Sequence, residues 1–459
     1  MNPPSQDTPT PALSLFDSTC LIVGIIIGVG IYQVAPDVAK GTSSGFGVLG
    51  IWVVGGLISL CGALGYAELA STYPREGGDY VYLTRAYGPW AGFLFGWVQL
   101  AIVRPGDIAV LAFAFATYAR TLYDPWADWS VSYGQSIYAT AAVILLTLIN
   151  IAGVREGKWA QNLLTTVKVL GLLAIVGVAA AAPQHHTPVE AAGTLPWSVA
   201  LILVLFTYGG WNEMAYVAAE VKNPRRNIVR ALVLGTVAVT GLYLLVNAAF
   251  LHALGYTGMA NSKAVAAHTL SAVFPRIGGK LISALICISA LGAVNGLIFT
   301  GARISFAVGS DHRVFRVLGT WNRRTGTPAS ALLVQGFLAV ILIVSLGSFV
   351  NTLLYTAAAV YSFYLATSLA VIVLRVRDPH AERPYRVTGY PVTTMVFCAV
   401  CAFLIYSAVA YKPGMAAVSC AIVLVGLPVY WLGKRRSARG ERDDIRGVSG
   451  PDPQPENPI

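Results

Sequence analysis

Charge is what this chain of 459 residues has least of. Asp, Glu, Lys and Arg together make up 11% of it, where a soluble domain carries about a quarter. With 56% hydrophobic residues and a mean hydropathy of +0.65, that scarcity excludes a soluble fold and points to repeated bilayer crossing. Cysteine is scarce as well. Cys20, Cys61, Cys287, Cys398, Cys401 and Cys420 all fall in apolar runs, so they read as small apolar residues rather than disulfides or ligands. His185, His186, His252, His268, His312 and His380 lie mostly in loops without metal or catalytic spacing. No nucleophile–base set and no phosphate loop is present, so the expectation is no enzyme, no cofactor and no metal. The first twelve residues hold no basic residue ahead of an apolar run. No cleavable signal is expected, and the first span would direct insertion.

Apolar runs long enough to cross a bilayer are plentiful. Twelve spans are predicted at 15–36, 46–72, 89–119, 136–153, 158–182, 195–221, 229–252, 279–308, 329–347, 350–375, 391–411 and 414–432. An even number puts both termini on one side. Arginine and lysine crowd the connections on that side, as in Lys222, Arg225, Arg226 and Arg230, or Arg313, Arg316, Arg323 and Arg324. The other side has only Lys40, Arg120, Lys263, Arg276, Lys280 and Lys412. Both termini are therefore expected in the cytoplasm, with the chain multi-pass in the cell (plasma or inner) membrane. The net charge of +10 is on this reading a topology signal and not a nucleic-acid surface. The domains expected are a cytoplasmic segment 1–13, a twelve-helix domain 14–436 and a disordered tail 437–459. The connection 253–278 is expected to carry a short surface helix over 262–274.

Two spans contain their own breakers. In the first, Gly24, Gly28 and Gly30 fall within seven residues; in the sixth, Gly209 and Gly210 follow Phe206-Thr207-Tyr208. Glycine weakens a helix by about 1 kcal/mol, and free backbone groups in lipid are tolerated only where they face a cavity or a solute. Tight helix packing on glycine is the plain alternative for either span. Two breaks five spans apart fit an inverted repeat, about 15–182 and 195–375, with a site where the breaks meet. Half-helix N-termini present N–H groups suited to a carboxylate, and unwound C-terminal carbonyls suit an ammonium. Gly28, Val29 and Gly30 are the natural N–H cradle, and Phe206, Thr207 and Gly209 can supply carbonyls. The ligand expected is a zwitterionic amino acid.

These residues resemble the amino acid–polyamine–organocation superfamily, most closely the bacterial branch of the L-type amino acid transporter family. The resemblance covers about residues 14–390. It rests on Gly28-Val-Gly30-Ile31, where the family usually has Gly-Ser-Gly-Ile, and on Tyr66-Ala-Glu68-Leu with Tyr73-Pro-Arg-Glu-Gly77-Gly78-Asp-Tyr80. It continues through Ile102-Val-Arg104-Pro105, Val154-Arg-Glu-Gly-Lys158 with Gln161-Asn162, and Tyr208-Gly-Gly-Trp-Asn212. Glu220-Val-Lys-Asn223-Pro224-Arg-Arg-Asn227, Asn295-Gly296-Leu-Ile-Phe299-Thr300 with Arg303, and Arg383-Pro384-Tyr385 complete it. It implies an all-α integral membrane protein of LeuT type, a 5+5 inverted repeat of twelve transmembrane helices with helices 1 and 6 broken at mid-membrane. It also implies sodium-independent amino acid transport. The carboxylate would lie on backbone at Ile27, Gly28, Val29 and Gly30, and the amine on carbonyls near Phe206 to Gly209. Phe206 is similar in position to the family's gating aromatic. Val29 replaces a serine whose hydroxyl would have helped hold the carboxylate.

Lys168 lies in an otherwise uncharged run. An unpaired charge at the bilayer centre costs at least about 2.5–3.5 kcal/mol, so it should be paired or neutral, or else snorkel to the surface. The resemblance places it where sodium-coupled relatives hold an ion between spans 1 and 8. It would bind carbonyls near Gly24 and hydroxyls such as that of Ser289 in sodium's stead, or, if neutral, carry a coupling proton. Asn295 either lines the side-chain pocket or caps a helix contact. Tyr361 and Tyr364 either bound that pocket, Tyr361 the better candidate, or belong to an interfacial belt. Glu213 either meets a substrate amine or pairs with a neighbouring helix. Arg104 is expected to pair locally with Asp107, and Glu68 with Arg75 to form a cytoplasmic gate network.

The function expected is a sodium-independent secondary transporter of neutral L-amino acids, working by alternating access as an exchanger or with protons. The alternatives are a cationic amino acid or polyamine exchanger, with Glu213 as pocket acid, and a non-transporting membrane sensor. Animal members of the family bind a glycoprotein through a cysteine after span 3. The loop Arg120 to Gln135 has none, so no disulfide-linked heavy chain is expected.

Overall fold

The computed structural model describes residues 11–126, 131–181 and 195–431, apart from residues 263, 272, 347, 348, 412, 415, 416, 418, 419 and 422. Among them every regular element is helical, and β pairing is limited to isolated bridges. Eight helices are long and apolar enough to cross a membrane: Leu15–Gln33, Gly45–Thr72, Pro89–Leu122, Tyr133–Ala152, Val154–Ala181, Pro224–Asn261, Gly278–Asp311 and Ala359–Arg377. Ala329–Ser345 and Val392–Ser407 are shorter apolar helices. The described residues of the expected span 414–432, chiefly 423–431, are helical, and all of the tail 437–459 lies outside the described residues.

The chain enters α1 (Leu15–Ile26) through a capping box, in which Ser14 Oγ accepts from the Asp17 amide at 3.2 Å and Asp17 Oδ2 accepts from the Ser14 amide at 2.9 Å. These bonds satisfy amides that a helix start leaves open. After residues 27–29 come two short helices, α2 (Gly30–Gln33) and α3 (Ala35–Lys40), then α4 (Gly45–Thr72). The connection that follows holds a helix the hydrophobic pattern does not announce, α5 (Asp79–Tyr87). Gly88, with φ +107°, turns the chain into α6 (Pro89–Val98). A π-helical turn, Gln99–Val103, leads into α7 (Arg104–Leu122). Pro105, which has no amide to give the preceding turn, sits just beyond that widened turn. Then follow α8 (Val131–Ala152) and α9 (Val154–Ala181).

The expected span 195–221 is not one helix. It is α10 (Trp197–Thr207), residues 208–210, and a 3₁₀ segment, Trp211–Glu220. Asn223, left-handed at φ 50°, and Pro224 start α11 (Pro224–Asn261). The connection beyond carries the expected short helix, α12 (Val265–Ser271), but packed into the fold and not laid on its surface, since Val265, Ala266, Thr269 and Leu270 are buried. The remaining helices are α13 (Gly278–Asp311), α14 (Ala329–Leu346), α15 (Phe349–Arg377) and α16 (Val392–Tyr411).

α1 and α13 are the most enclosed spans. Leucines and aromatics such as Leu145, Leu148, Leu170 and Phe337 point outward from the others, as a lipid-facing surface requires. One face of α9 grips α1. Lys158 Nζ reaches Asp17 at 3.2 Å and the Ala12 carbonyl at 3.2 Å, Asn162 Nδ2 donates to Asp17 at 2.6 Å, and Thr165 Oγ1 donates to the Cys20 carbonyl at 3.0 Å. The chain before α1 is tied in turn to the end of the 3₁₀ segment. The Ala12 and Leu13 amides both donate to the Glu220 carbonyl at 2.8 Å, and Lys222 donates to that of Leu13 at 2.8 Å.

Glu220 is fully buried against Arg303 of α13, with Nε–Oε1 2.6 Å and Nη2–Oε2 3.2 Å, and the guanidinium lies 3.8 Å over the Phe299 ring. Removing one member of such a pair leaves the other charge uncompensated. Glu220→Ala should therefore cost about 3–5 kcal/mol of stability. Thermal unfolding in detergent measures this, and a melting temperature equal to that of the unaltered protein would refute it.

Candidate functional site

The two helix interruptions meet. A Cβ built on Gly30 would lie 2.9 Å from Thr207 Oγ1, and one on Gly210 would lie 2.6 Å from Ile25 Cγ2. Gly210 also has φ +107°, a conformation that side chains resist. Two helix ends come this close only because glycine stands at the contacts.

At the first interruption, α1 keeps bonding past its last residue: the Ile27 amide donates to Val23 at 2.9 Å and that of Gly28 to Ile26 at 2.7 Å. The amides of Val29, Gly30 and Ile31 find no acceptor among the described residues. Of the expected cradle, then, Ile27 and Gly28 have their N–H groups already engaged. The open set is shifted one residue along, to 29–31. Space is left beside Gly28, where the nearest atoms to an added Cβ are Leu111 Cδ2 at 3.9 Å and the Ile25 carbonyl at 4.0 Å.

The carbonyls at this turn are claimed by Lys168. Its side chain is fully buried, and Nζ donates to Gly24 O at 2.7 Å, Ile27 O at 2.8 Å and Ser289 O at 2.9 Å. An ammonium has three protons, and all three are used. The lysine does not snorkel. Ser289 serves it with its carbonyl, not with the hydroxyl expected from sequence; that hydroxyl caps Ile27 O and Gly28 O instead, at 3.0 Å each. Gly292 makes the room, because a Cβ there would lie 2.7 Å from Nζ.

At the second interruption, Gly209 N donates to Phe206 O at 3.0 Å and Thr207 Oγ1 to Leu203 O at 2.8 Å. Thr207 O receives the Tyr243 hydroxyl at 3.3 Å, and that same hydroxyl lies 2.8 Å from Ile26 O. Tyr243 thus joins the two helix ends. Sequence reasoning passed over it, although a tyrosine deep in the apolar run of α11 was a visible oddity. The Phe206 ring is 38% exposed, which leaves its face open beside the turn. Tyr361 is half-buried on α15, edge-on to Tyr364 at 6.1 Å, and Tyr364 donates to Asn212 Oδ1 at 3.0 Å.

Asn295 stands elsewhere, between α8 and α9. It accepts from Asn150 at 2.8 Å and donates to Gly157 O at 3.2 Å and Gln161 Oε1 at 2.9 Å. Its amide is consumed by helix contacts. Two expected pairs change partners. Arg104 binds Glu213 at 2.9 Å, not Asp107, and Thr300 Oγ1 donates to the other Glu213 oxygen at 2.6 Å. Glu68 binds Arg375 at 2.9 and 2.5 Å and the Val387 amide at 2.7 Å, while Arg75 is exposed. The sequence separation of these partners hid them.

Asp79 on α5 was also missed. Fully buried, it accepts from Tyr66, from Tyr216 at 2.7 Å and from Thr367 at 2.5 Å. Burial pushes its carboxyl above the usual range, and the three hydroxyls pull the other way. Among the described residues no group of His, Cys, Asp and Glu is arranged to hold a metal.

A membrane chain with opened backbone at two touching helix ends suits recognition of a small polar solute, and a family match agrees. A model described as amino acid permease covers residues 13–432. The chain belongs to the amino acid permease family. Its similarity to curated members of that superfamily runs over nearly the whole length. It is 30% identical to mouse b(0,+)-type amino acid transporter 1 over 433 residues, 92% of this chain and 87% of the relative. It is 31% identical to the serine/threonine exchanger SteT of Bacillus subtilis (strain 168) over 433 residues, 93% and 97% of the two chains. It is also 31% identical to the rabbit large neutral amino acids transporter small subunit 2 over 442 residues, 92% and 80%. The relatives are transporters and exchangers of the L-type group, not enzymes. This chain is accordingly a multi-pass membrane protein of an amino acid transporter and exchanger family.

The geometry around Lys168 gives a direct test. Gly292→Ala should push the ammonium off its carbonyls and lower stability by about 1–3 kcal/mol, the cost of unmade buried bonds. Thermal unfolding of the purified variant reads this, and an unchanged unfolding curve would contradict it.

Proposed function

We propose that this permease is a sodium-independent carrier of neutral L-amino acids that works by alternating access, as an exchanger or with proton-linked uptake. The single observation that carries the reading is the Lys168 ammonium, seated among Gly24 O, Ile27 O and Ser289 O. Three carbonyls from an opened helix and its neighbour form the kind of oxygen cage that suits a sodium ion. A fixed ammonium already fills it, so no sodium is needed to hold α1 against α13.

The substrate's carboxylate would lie on the backbone around Ile27, Gly28, Val29 and Gly30, chiefly on the open amides 29–31. Partial positive charge at the start of α2 favours it there. The α-ammonium would lie on the carbonyls of Phe206, Thr207 and Gly209 at the end of α10. Phe206 would close over the bound molecule, with Tyr361 bounding the side-chain space. Asn295, engaged as it is, would act by fixing α8 and α9 around the site. Glu213 is neutralised by Arg104, so it is not free to take a basic side chain.

On this reading the interruptions at residues 27–29 and 208–210 are mid-membrane breaks of helices 1 and 6 in a twelve-helix LeuT-type domain, 14–436. Inverted repeats at about 15–182 and 195–375 would bring them together. The arginine-rich connections support cytoplasmic termini in the cell membrane. The lack of cysteine in 120–135 supports action without a disulfide-linked partner.

Purified protein in liposomes should take up labelled neutral L-amino acids equally in sodium and in choline buffer, faster when amino acid is preloaded inside if exchange dominates. Lys168→Ala should lose most of this uptake. Uptake that requires sodium, or that survives in Lys168→Ala, would overturn the reading.

A further inference from the structure

Arg104 and Glu213 satisfy each other, which leaves Asp107 over. It sits near the middle of the continuous run Pro89–Leu122, and among the described residues no hydrogen bond or ion pair reaches it. A charged residue at that depth costs about 2.5–3.5 kcal/mol or more, and such residues face a cavity or a counter-charge; Arg104, one turn away, acts on Asp107 through charge alone and is bonded elsewhere.

The face it occupies is not an ordinary packing face. From Arg104 to Ala116, α7 is buried at every position except Asp107, Leu111 and Phe115, which recur every fourth residue and so share one side of the helix. Leu111 is the side chain closest to the space beside Gly28. Two turns further on, the Tyr118 hydroxyl takes a bond from Gln33 of α2 at 3.4 Å. This side of α7 therefore looks onto the first interruption. In the other direction Arg104 holds Glu213, three residues past Gly210. Asp107 lies one helical turn, about 5.4 Å along α7, from Leu111, the side chain nearest Gly28. The nearby cations are occupied. Lys168 has given all three protons to carbonyls, and Arg104 is shared between Glu213 and Gln99. Only Arg104 Nη1 lacks an acceptor.

We propose that Asp107 is a specificity-determining residue of the transport site, receiving the terminal ammonium or guanidinium of a basic L-amino acid whose α-carboxylate lies on the open amides 29–31. The substrate range then extends from neutral to cationic amino acids. A four-carbon side chain reaches about as far as the one turn of α7 that separates Leu111, beside Gly28, from Asp107. A neutral side chain leaves the carboxylate to solvent, so both classes are accepted. The inference rests on the transport reading above and adds to it the acid that Glu213 does not supply.

The test compares L-lysine with L-norleucine, which is lysine without the terminal amino group. Both are measured as labelled uptake into liposomes holding the unaltered protein, Asp107→Asn, Asp107→Ser or Asp107→Glu. The unaltered protein should carry both. Asp107→Asn and Asp107→Ser should raise the KM for lysine by about tenfold to a hundredfold, as loss of a charged hydrogen-bond partner does. They should leave norleucine within about twofold, which also reports folding, and Asp107→Glu should keep lysine transport. Norleucine uptake without lysine uptake in the unaltered protein would overturn the inference and leave the transport reading standing. Equal losses for both substrates in Asp107→Asn and Asp107→Ser would also overturn it, since the carboxylate would then serve Arg104 structurally. Absence of uptake of either amino acid by the unaltered protein would overturn both.

Discussion

One ammonium group organises the centre of this molecule. A helix opened inside a membrane leaves carbonyls that neither lipid nor a neighbouring helix can ordinarily satisfy. Here two of those carbonyls, Gly24 and Ile27, and one from α13, Ser289, converge on Lys168 Nζ. The lysine and the opened backbone answer each other. Without the carbonyls the charge could not stay at that depth, and without the charge the turn at residues 27–29 would lack donors. The Ser289 hydroxyl and Tyr243 complete the arrangement by taking Ile27, Gly28 and Ile26. What remains unanswered on the backbone is N–H, not C=O. That asymmetry is the physical basis of the carboxylate site proposed above.

The interior is accordingly built on paired and bonded polar groups. Arg303 with Glu220, Arg104 with Glu213 and Thr300, and Asp79 among three hydroxyls are all buried. Each joins elements far apart in the chain. In a low-dielectric setting such pairs contribute little net stability but penalise any arrangement that separates them. They act as selectors of one packing among the many that apolar helices alone would allow.

Much of this was legible in the sequence because the governing signals are local. Apolar runs are set by length, and Gly24, Gly28, Gly30, Gly209 and Gly210 mark where helical bonding lapses. Lys168 stood out as a charge in an uncharged run, and depth alone required a partner for it. Partner choice was less legible. Arg104 has an acid three residues away and another more than a hundred residues away, and only the packing of the 3₁₀ segment on α13 decides for the distant one. Asn295 and Tyr243 show the same limit. Their bonds run to helices whose rotation about their own axes no single-chain pattern fixes. The open amides fall one residue later than expected for a simpler reason, since the helical bond of Ile27 to Val23 and a tighter bond of Gly28 to Ile26 close the first two.

The grip of α9 on α1 has a mechanical consequence. Lys158, Asn162, Thr165 and Lys168 recur along one side of α9 and hold α1 at Asp17, Cys20, Gly24 and Ile27. Swinging α1 outward by itself would strand an ammonium, a hydroxyl and a carboxylate in a medium that cannot hydrate them. The N-terminal part of the first span is therefore harnessed to its neighbour, and the lowest-energy excursion displaces the two as a single lever.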